Sequence, residues 1–400
     1  MIARYFAYPI AGIMMAGPAL ALQIYDKDGT TMDITGRLQT VYYSKDTNLY
    51  NPESGDGTLV ANGRLGFALS TPITDGVDAI SYVEWDVSDG DKFDHFRNRY
   101  AWVGLDFGKF GKVRAGTSED AFYYVQMPVD IYIDFGAVGL ASKDDRRKGQ
   151  FMYNWSGYGV DFNITYGTSK DNQPVDGAYW GRQTSDGGDF TGSETLNIEQ
   201  AFSVSAGYTS PEVLFGPIGV RAGYGYAEFG EHFYEGGVGQ NQITGSNTEG
   251  TAVFYDDYNQ YGASLFWGSL KQGPYVAAMY QVREFKFTDN VDVSDIFYRA
   301  SGSANNYDVM GSIFSIGYGF SNGMGIYTGF EYSTVEWEHT NFDVESSTIP
   351  LILNWNVTPH LRTWIEGRLD VGTHDTGNNV PYPVKQYYED VFSMGLRFLL

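Results

Sequence analysis

Phe392-Ser-Met394-Gly-Leu396-Arg-Phe398-Leu-Leu400 closes the chain with strict period-two alternation: Phe, Met, Leu, Phe and Leu on one side, Ser393, Gly395 and Arg397 on the other. That is the pattern of a β-strand with one apolar and one wet face. Ile80 to Val87 reads the same way, with Val83, Trp85 and Val87 against Tyr82, Glu84 and Asp86. Two neighbouring carboxylates on one face mark that face as hydrated.

Working outward from these two stretches, the same alternation predicts strands near residues 32–44, 61–70, 79–88, 98–107, 111–118, 149–155, 158–167 and 197–209 in the first half. The second half gives 216–229, 259–270, 273–285, 309–319, 322–334, 348–357, 360–371 and 389–400. Short connections such as Ser156-Gly157, Lys271-Gln272, Ser321 and Pro359 alternate with long polar ones such as 168–196 and 230–258. Sixteen strands, short turns on one rim and long loops on the other, predict an all-β fold: a 16-stranded antiparallel transmembrane β-barrel of an outer membrane. Aromatic residues at segment ends, among them Tyr42, Phe107, Trp155 and Tyr332, suit the membrane interfaces. A β-propeller would repeat every 40 to 50 residues or so, and no such period is present.

Composition narrows the function. The 400 residues include 50 Gly, 32 Tyr and 26 Phe, with no Cys, which removes disulfides, thiolate metal sites and a Cys nucleophile. Against 49 Asp and Glu stand 26 Lys and Arg, a net charge of −23 that repels nucleic acid. Mean hydropathy is −0.30, so helical membrane spans are not expected after the N-terminus. Residues 1–21 carry Arg4, an apolar run from Ile10 to Met15 and Ala19-Leu20-Ala21, the features of a secretory signal cleaved before a single barrel domain, 22–400.

A closed barrel of this strand number is too wide for side chains to fill, so its lumen is expected to hold water. Alternation turns Arg37, Arg64, Arg114, Arg146, Arg221, Arg362, Arg368 and Arg397 inward with Asp33, Glu84, Asp86 and Asp106. The connection Glu119 to Lys148 is unusually apolar, and folding it on the inner wall would bury Ile131, Ile133 and Phe135 while Asp130 and Asp134 face the remaining opening. Acids facing inward arginines make a transverse field that favours small polar solutes.

Gln23-Ile-Tyr-Asp-Lys-Asp-Gly-Thr-Thr-Met-Asp-Ile-Thr-Gly-Arg37 resembles the mature N-terminus of the general diffusion porins of Gram-negative bacteria. Arg64-Leu-Gly-Phe67, Asn98-Arg-Tyr-Ala-Trp-Val-Gly-Leu105, Phe110-Gly-Lys-Val-Arg-Ala-Gly116 and Asp130-Ile-Tyr-Ile-Asp-Phe-Gly136 follow in that family's order and spacing. The resemblance is specific over residues 19–167 and rests on strand pattern beyond. It implies homotrimers of sixteen-stranded barrels whose third long loop folds inward, with Asp130 and Asp134 as loop acids facing a basic ladder that includes Arg37, Arg64 and Arg146. A further family arginine falls on Thr117, and Arg114, three residues earlier, is the candidate replacement. The family usually ends in Phe, whereas this chain ends Phe398-Leu399-Leu400 with Leu400 in the outward register.

The leading expectation is therefore passive diffusion of ions and small hydrophilic solutes with a modest cation preference, needing no cofactor. The alternative is a substrate-selective oligosaccharide channel, motivated by inward Tyr82, Tyr100, Trp102 and Trp364 and by Tyr179 and Trp180 in a loop, since aromatic faces stack on sugar rings. A barrel enzyme is disfavoured, because His95, His232, His339, His360 and His374 form no recognisable pair with Ser or Asp in sequence. Loop acids Asp256, Asp257 and Asp186 to Asp189 are candidates for divalent cations bridging to lipopolysaccharide phosphates, without the spacing of a dedicated Ca²⁺ loop.

Overall fold

The computed structural model describes residues 21–44, 57–88, 97–136, 139–140, 146–180, 191–230, 242–244, 252–292, 301–340, 343–372, 374–375 and 390–400. Residues 1–20 of the expected signal, His95, His232, Asp186 and Asp189 lie outside them, as do the side chains of Tyr179, Trp180 and His374.

The strands are β1 Leu22–Lys27, β2 Thr30–Tyr43, β3 Thr58–Thr74, β4 Val77–Ser88, β5 Arg97–Asp106, β6 Lys112–Ser118, β7 Arg147–Gly157, β8 Val160–Gly167, β9 Lys170–Trp180 and β10 Thr191–Val213. They continue as β11 Gly216–Phe229, β12 Gln242–Thr244, β13 Ala252–Gly268, β14 Gly273–Asp292, β15 Ser303–Gly319, β16 Met324–Trp337, β17 Asp343–Thr358, β18 Leu361–Asp370, β19 His374–Asp375 and β20 Val391–Leu399. Sixteen of these, β2 to β8, β10, β11, β13 to β18 and β20, pair antiparallel in chain order, and β20 pairs back onto β2. The sheet therefore closes and has no free edge, as the sixteen alternating segments predict.

The closing seam is composite. Residues 37–43 of β2 pair with β20, while its first residues pair with β1, where Leu22 lies across from Ile34. The Leu400 amide donates to the Gly36 carbonyl at 3.0 Å, so the C-terminus meets the start of β1 in line along one edge of β2. The eleven-residue β9 and the short β12 and β19 pair with β10, β13 and β17 and extend the long-loop rim. β10 and β14 run for 23 and 20 residues. A tilted strand needs only about 9–11 residues to cross a bilayer, so both project beyond it.

The two faces are those of the sequence. In β20, Phe392, Met394, Leu396 and Phe398 are 44–52% exposed, whereas Ser393 and Arg397 are at 0% and 3%. Leu38, Leu59, Val103, Leu265 and Ile365 extend the outward apolar band around the barrel. On the short-turn rim, Trp155, Trp267 and Trp355 each donate the indole N–H to a turn carbonyl, of Lys109, Val213 and Asn322, at 2.9 to 3.2 Å. These rings present an apolar body to lipid and satisfy their polar tip on the protein.

Several expected boundaries shift: strands β9, β12 and the first residues of β10 and β13 fall within the expected loops 168–196 and 230–258, and β3, β10 and β14 outrun their expected ends. The β7–β8 turn falls on Tyr158-Gly159, not Ser156-Gly157: both residues have positive φ, 56° and 81°, the geometry of a two-residue type I′ hairpin loop. Asp256 and Asp257 stand on β13, not in a loop, because pairing with β11 and β14 continues past Asn259.

Replacing Met394, at the middle of β20 on the lipid face, by Arg is expected to lower stability by about 2–4 kcal/mol. The urea midpoint of folding into lipid vesicles reads this, with Met394→Leu as the neutral comparison.

Candidate functional site

The segment following β6 lies against inward-facing side chains. It begins with Glu119 and Asp120. Asp120 Oδ1 accepts the Phe122 amide at 2.9 Å, just before the single turn α1, Tyr123–Gln126. Its other oxygen meets Arg147 Nη1 at 3.2 Å and the Thr165 hydroxyl at 3.2 Å. Phe122 and Val125 reach the wall where it lacks side chains: a Cβ on Gly223 would stand 2.8 Å from Val125 Cγ2, and one on Gly262 3.1 Å from Phe122 Cζ. Gln126 donates to Gln281 of β14 at 3.0 Å, and the Tyr275 hydroxyl donates to the Pro128 carbonyl at 2.6 Å.

The tip of the segment is fixed by one carboxylate. Glu366 of β18, fully buried, accepts the amides of Ile133 at 2.7 Å, Asp134 at 3.0 Å and Phe135 at 2.5 Å. Hydrogen bonds to a charged acceptor contribute about 1.5–3 kcal/mol, and without Glu366 three amides would lose their partner together. Asp134 completes the attachment by accepting from Trp364 Nε1 at 2.7 Å, the Ser393 hydroxyl at 2.6 Å and the Tyr43 hydroxyl at 3.2 Å.

This corrects the expected orientation of the loop acids. Asp130 and Asp134 are only 8% and 5% exposed and do not face an opening. Asp130 accepts from the Tyr123 hydroxyl at 3.1 Å, and Asp134 faces the wall because Trp364, Ser393 and Tyr43 present three donors there. Ile131 and Phe135 are buried as expected, and Ile133 is half-buried. Trp364, expected as a lumen-facing stacking ring, is 1% exposed with its N–H engaged by Asp134, so it offers no free face.

On the wall of β2 to β5, Arg64 Nε meets Asp86 Oδ1 at 3.1 Å. Arg99 Nε meets Glu84 Oε1 at 2.7 Å, and Arg99 Nη1 meets Asp86 Oδ2 at 3.2 Å. Arg99 is absent from the predicted set for a structural reason. Glu84 pairs with Tyr100 but Trp85 pairs with Asn98, so β5 bulges at Arg99 and both Arg99 and Tyr100 reach the inner side. Arg37, paired with Arg64, lies within the electrostatic reach of Arg64, Arg99, Arg397 and Glu84, and among the described residues its buried Nε has no acceptor. Arg146 is exposed and acts on Arg64 and Asp86. The structure thus brings Arg37, Arg64 and Arg146 together, with Arg99 added.

Arg114 is engaged elsewhere: with Glu119 at 3.2 Å, Asn154 at 2.7 Å and the Met152 sulfur at 2.8 Å, and over the Trp102 ring at 4.9 Å. It holds the base of the segment instead of replacing the arginine missing at Thr117. Tyr82, Tyr100 and Trp102 do converge, with centroids 5.9 and 6.1 Å from Tyr82. Glu366 falls within the expected strand 360–371 and Arg147 within the connection Glu119 to Lys148, and the contacts of both with the segment have no sequence signal.

Asp257 meets Lys286 at 3.6 Å and accepts from Asn259 at 3.1 Å, while Asp256 is exposed. Among the described residues no group of three or more His, Asp or Glu side chains is arranged to hold a metal ion. His360 Nδ1 lies 3.1 Å from the Leu399 carbonyl, and His339 is 3.8 Å from Glu338.

The chain is similar to the outer membrane porin C of Enterobacter cloacae, 26% identical over 288 residues, 68% of this chain and 76% of that one. It is also similar to outer membrane protein S2 of Salmonella typhi, 26% identical over 231 residues, 52% of this chain and 58% of that one. The chain thus spans little more than half the length of some curated relatives it matches. Among solved structures, Salmonella typhi OmpF in complex with daunomycin superposes with a TM-score of 0.64 at 16% identity, covering 94% of this chain and all of that one. A trimer form of OmpT from Vibrio cholerae superposes at 0.59 with 15% identity, covering 93% of this chain and 100% of that one. Residues 10–340 match the Gram-negative porin family, and the chain, a closed β-barrel, belongs to that family and to the outer membrane.

Proposed function

We propose that this protein is a passive channel for ions and small hydrophilic solutes, narrowed by segment 119–136. The observation that carries this reading is the attachment of that segment to inward side chains through Glu366 and Asp134, beside a wall bearing Arg37, Arg64, Arg99 and Arg146. A solute passing such a wall must exchange water for charged groups. Small polar solutes do this at little cost, and apolar ones of equal size do not. Transport runs down the concentration gradient, with no nucleotide, cofactor or catalytic step. The working unit is a homotrimer, in keeping with the trimer form of the structurally similar OmpT. The outer rim contacts lipid and lipopolysaccharide, with exposed acids such as Asp256 able to attract divalent cations.

Two fields compete over selectivity. The net charge of −23 draws cations toward the mouths, while the arginines of the wall favour anions locally. The first acts over longer distances and is screened more strongly: the Debye length falls from about 10 Å at 0.1 M salt to about 3 Å at 1 M. The channel is therefore weakly cation-preferring in dilute KCl, and the preference shrinks or reverses in concentrated KCl. Reversal potentials across a KCl gradient, repeated at both ionic strengths, test this; anion preference in dilute salt would defeat it.

Glu366→Leu removes the acceptor of three segment amides at once. The expected result is a larger single-channel conductance with more current noise than the parent, as the tip leaves the wall. An unaltered conductance in a folded Glu366→Leu barrel would mean that the segment does not set the narrowest point.

A further inference from the structure

We propose that the inner wall at Tyr82, Tyr100 and Trp102, with the adjoining Glu84, Asp86, Arg64 and Arg99, is a subsite for neutral saccharide rings, a deepening that rests on the channel reading above. The three aromatic rings form one patch: Tyr82 lies 5.9 Å from Tyr100 and 6.1 Å from Trp102, both tilted by less than 50°. Tyr82 is buried and fixed by its hydroxyl, which donates to Glu84 at 2.9 Å and lies 3.3 Å from the Thr35 hydroxyl. It reaches Thr35 across Gly66, where a Cβ would stand 2.7 Å from Thr35 Oγ1 and 3.1 Å from the Tyr82 hydroxyl. Tyr100 and Trp102 are half-buried, and Arg114 holds Trp102 in place from 4.9 Å.

The composition of the patch selects its ligand. A lumen that conducted only ions would favour polar inward residues and gain nothing from the partly exposed rings of Tyr100 and Trp102. A small anion would use Arg64 and Arg99 but not the carboxylates between them, and a small cation the reverse. A sugar ring uses both kinds of group. Its apolar C–H face lies on aromatic faces, and its hydroxyl rim donates to Asp86 and accepts from Arg64. The Arg64 and Asp86 side chains remain 27% and 34% exposed while paired, so their outer hydrogen-bonding positions are open to such a rim. The ion pairs are formed before a sugar arrives, so the polar groups are already oriented toward it.

The test is single-channel recording of the full chain in a planar bilayer, with maltotriose added at millimolar concentration and the acyclic polyol sorbitol as comparison. Maltotriose is expected to interrupt the current in a saturable way, and sorbitol is not. Trp102→Ala and Tyr100→Ala should each raise the half-blocking concentration about threefold to tenfold, while Tyr100→Phe, which keeps the ring, keeps the block. If Trp102→Ala does not fold, the two Tyr100 variants decide the question. A barrel that conducts KCl but shows no saturable block, or is blocked equally by sorbitol, overturns the subsite and leaves the channel standing. A folded barrel without conductance overturns both.

Discussion

Hydrocarbon offers no hydrogen bonds, and this single constraint decides the architecture. Every amide and carbonyl crossing the bilayer must be paired within the protein, and a sheet can do so only by closing. Closure here depends on one junction, where β2 is shared between β20 along its second half and β1 along its first. The C-terminal residues thereby satisfy edge groups that an open sheet would expose to lipid. The strict alternation of Phe392 to Leu400 follows from the same junction, since a slip of one residue would turn Arg397 outward and Phe398 inward.

Closure creates a space that must then be managed. Segment 119–136 brings its own polar groups to partners on the strands of the wall. The arrangement is economical in kind: one carboxylate, Glu366, serves three consecutive amides, and one aspartate, Asp134, serves three side-chain donors from three strands. Two carboxylates are thus spent on holding the segment and not on contacting solutes. The acid that stays partly exposed beside the arginines is Asp86, on a strand.

Strand number, order and facing were legible because each depends on a local pattern, period two, that the bilayer enforces along the whole strand. The rest was not, for identifiable reasons. Arg99 escaped because a bulge breaks the period where it sits, putting two successive residues on one side. The orientation of Asp130 and Asp134 escaped because it depends on donors, Trp364, Ser393 and Tyr43, that lie far away in the chain and meet them only once the barrel has closed. Arg114 is tied to the segment base by its partner Glu119 and its position over Trp102, contacts that no local pattern encodes. The β7–β8 turn moved because Tyr158, a poor residue for positive φ, was read as the first strand residue.

The arginine wall supplies its own argument for a wet lumen. Arg37, Arg64, Arg99 and Arg397 lie within reach of one another, and among the described residues the acids ion-paired with them are Glu84 and Asp86, while Arg397, within reach of Asp134, turns to Gln39, at 2.7 Å, and to the Trp364 ring. Two like charges 4 Å apart repel by about 1 kcal/mol in water and about four times as much at the dielectric of a protein surface. A dry interior would make this grouping untenable, whereas water and mobile counter-ions reduce the repulsion to a level that a barrel of this size tolerates. Surplus positive charge on one side of a lumen is stable only if ions can reach it, and a lumen that ions can reach is already most of a channel.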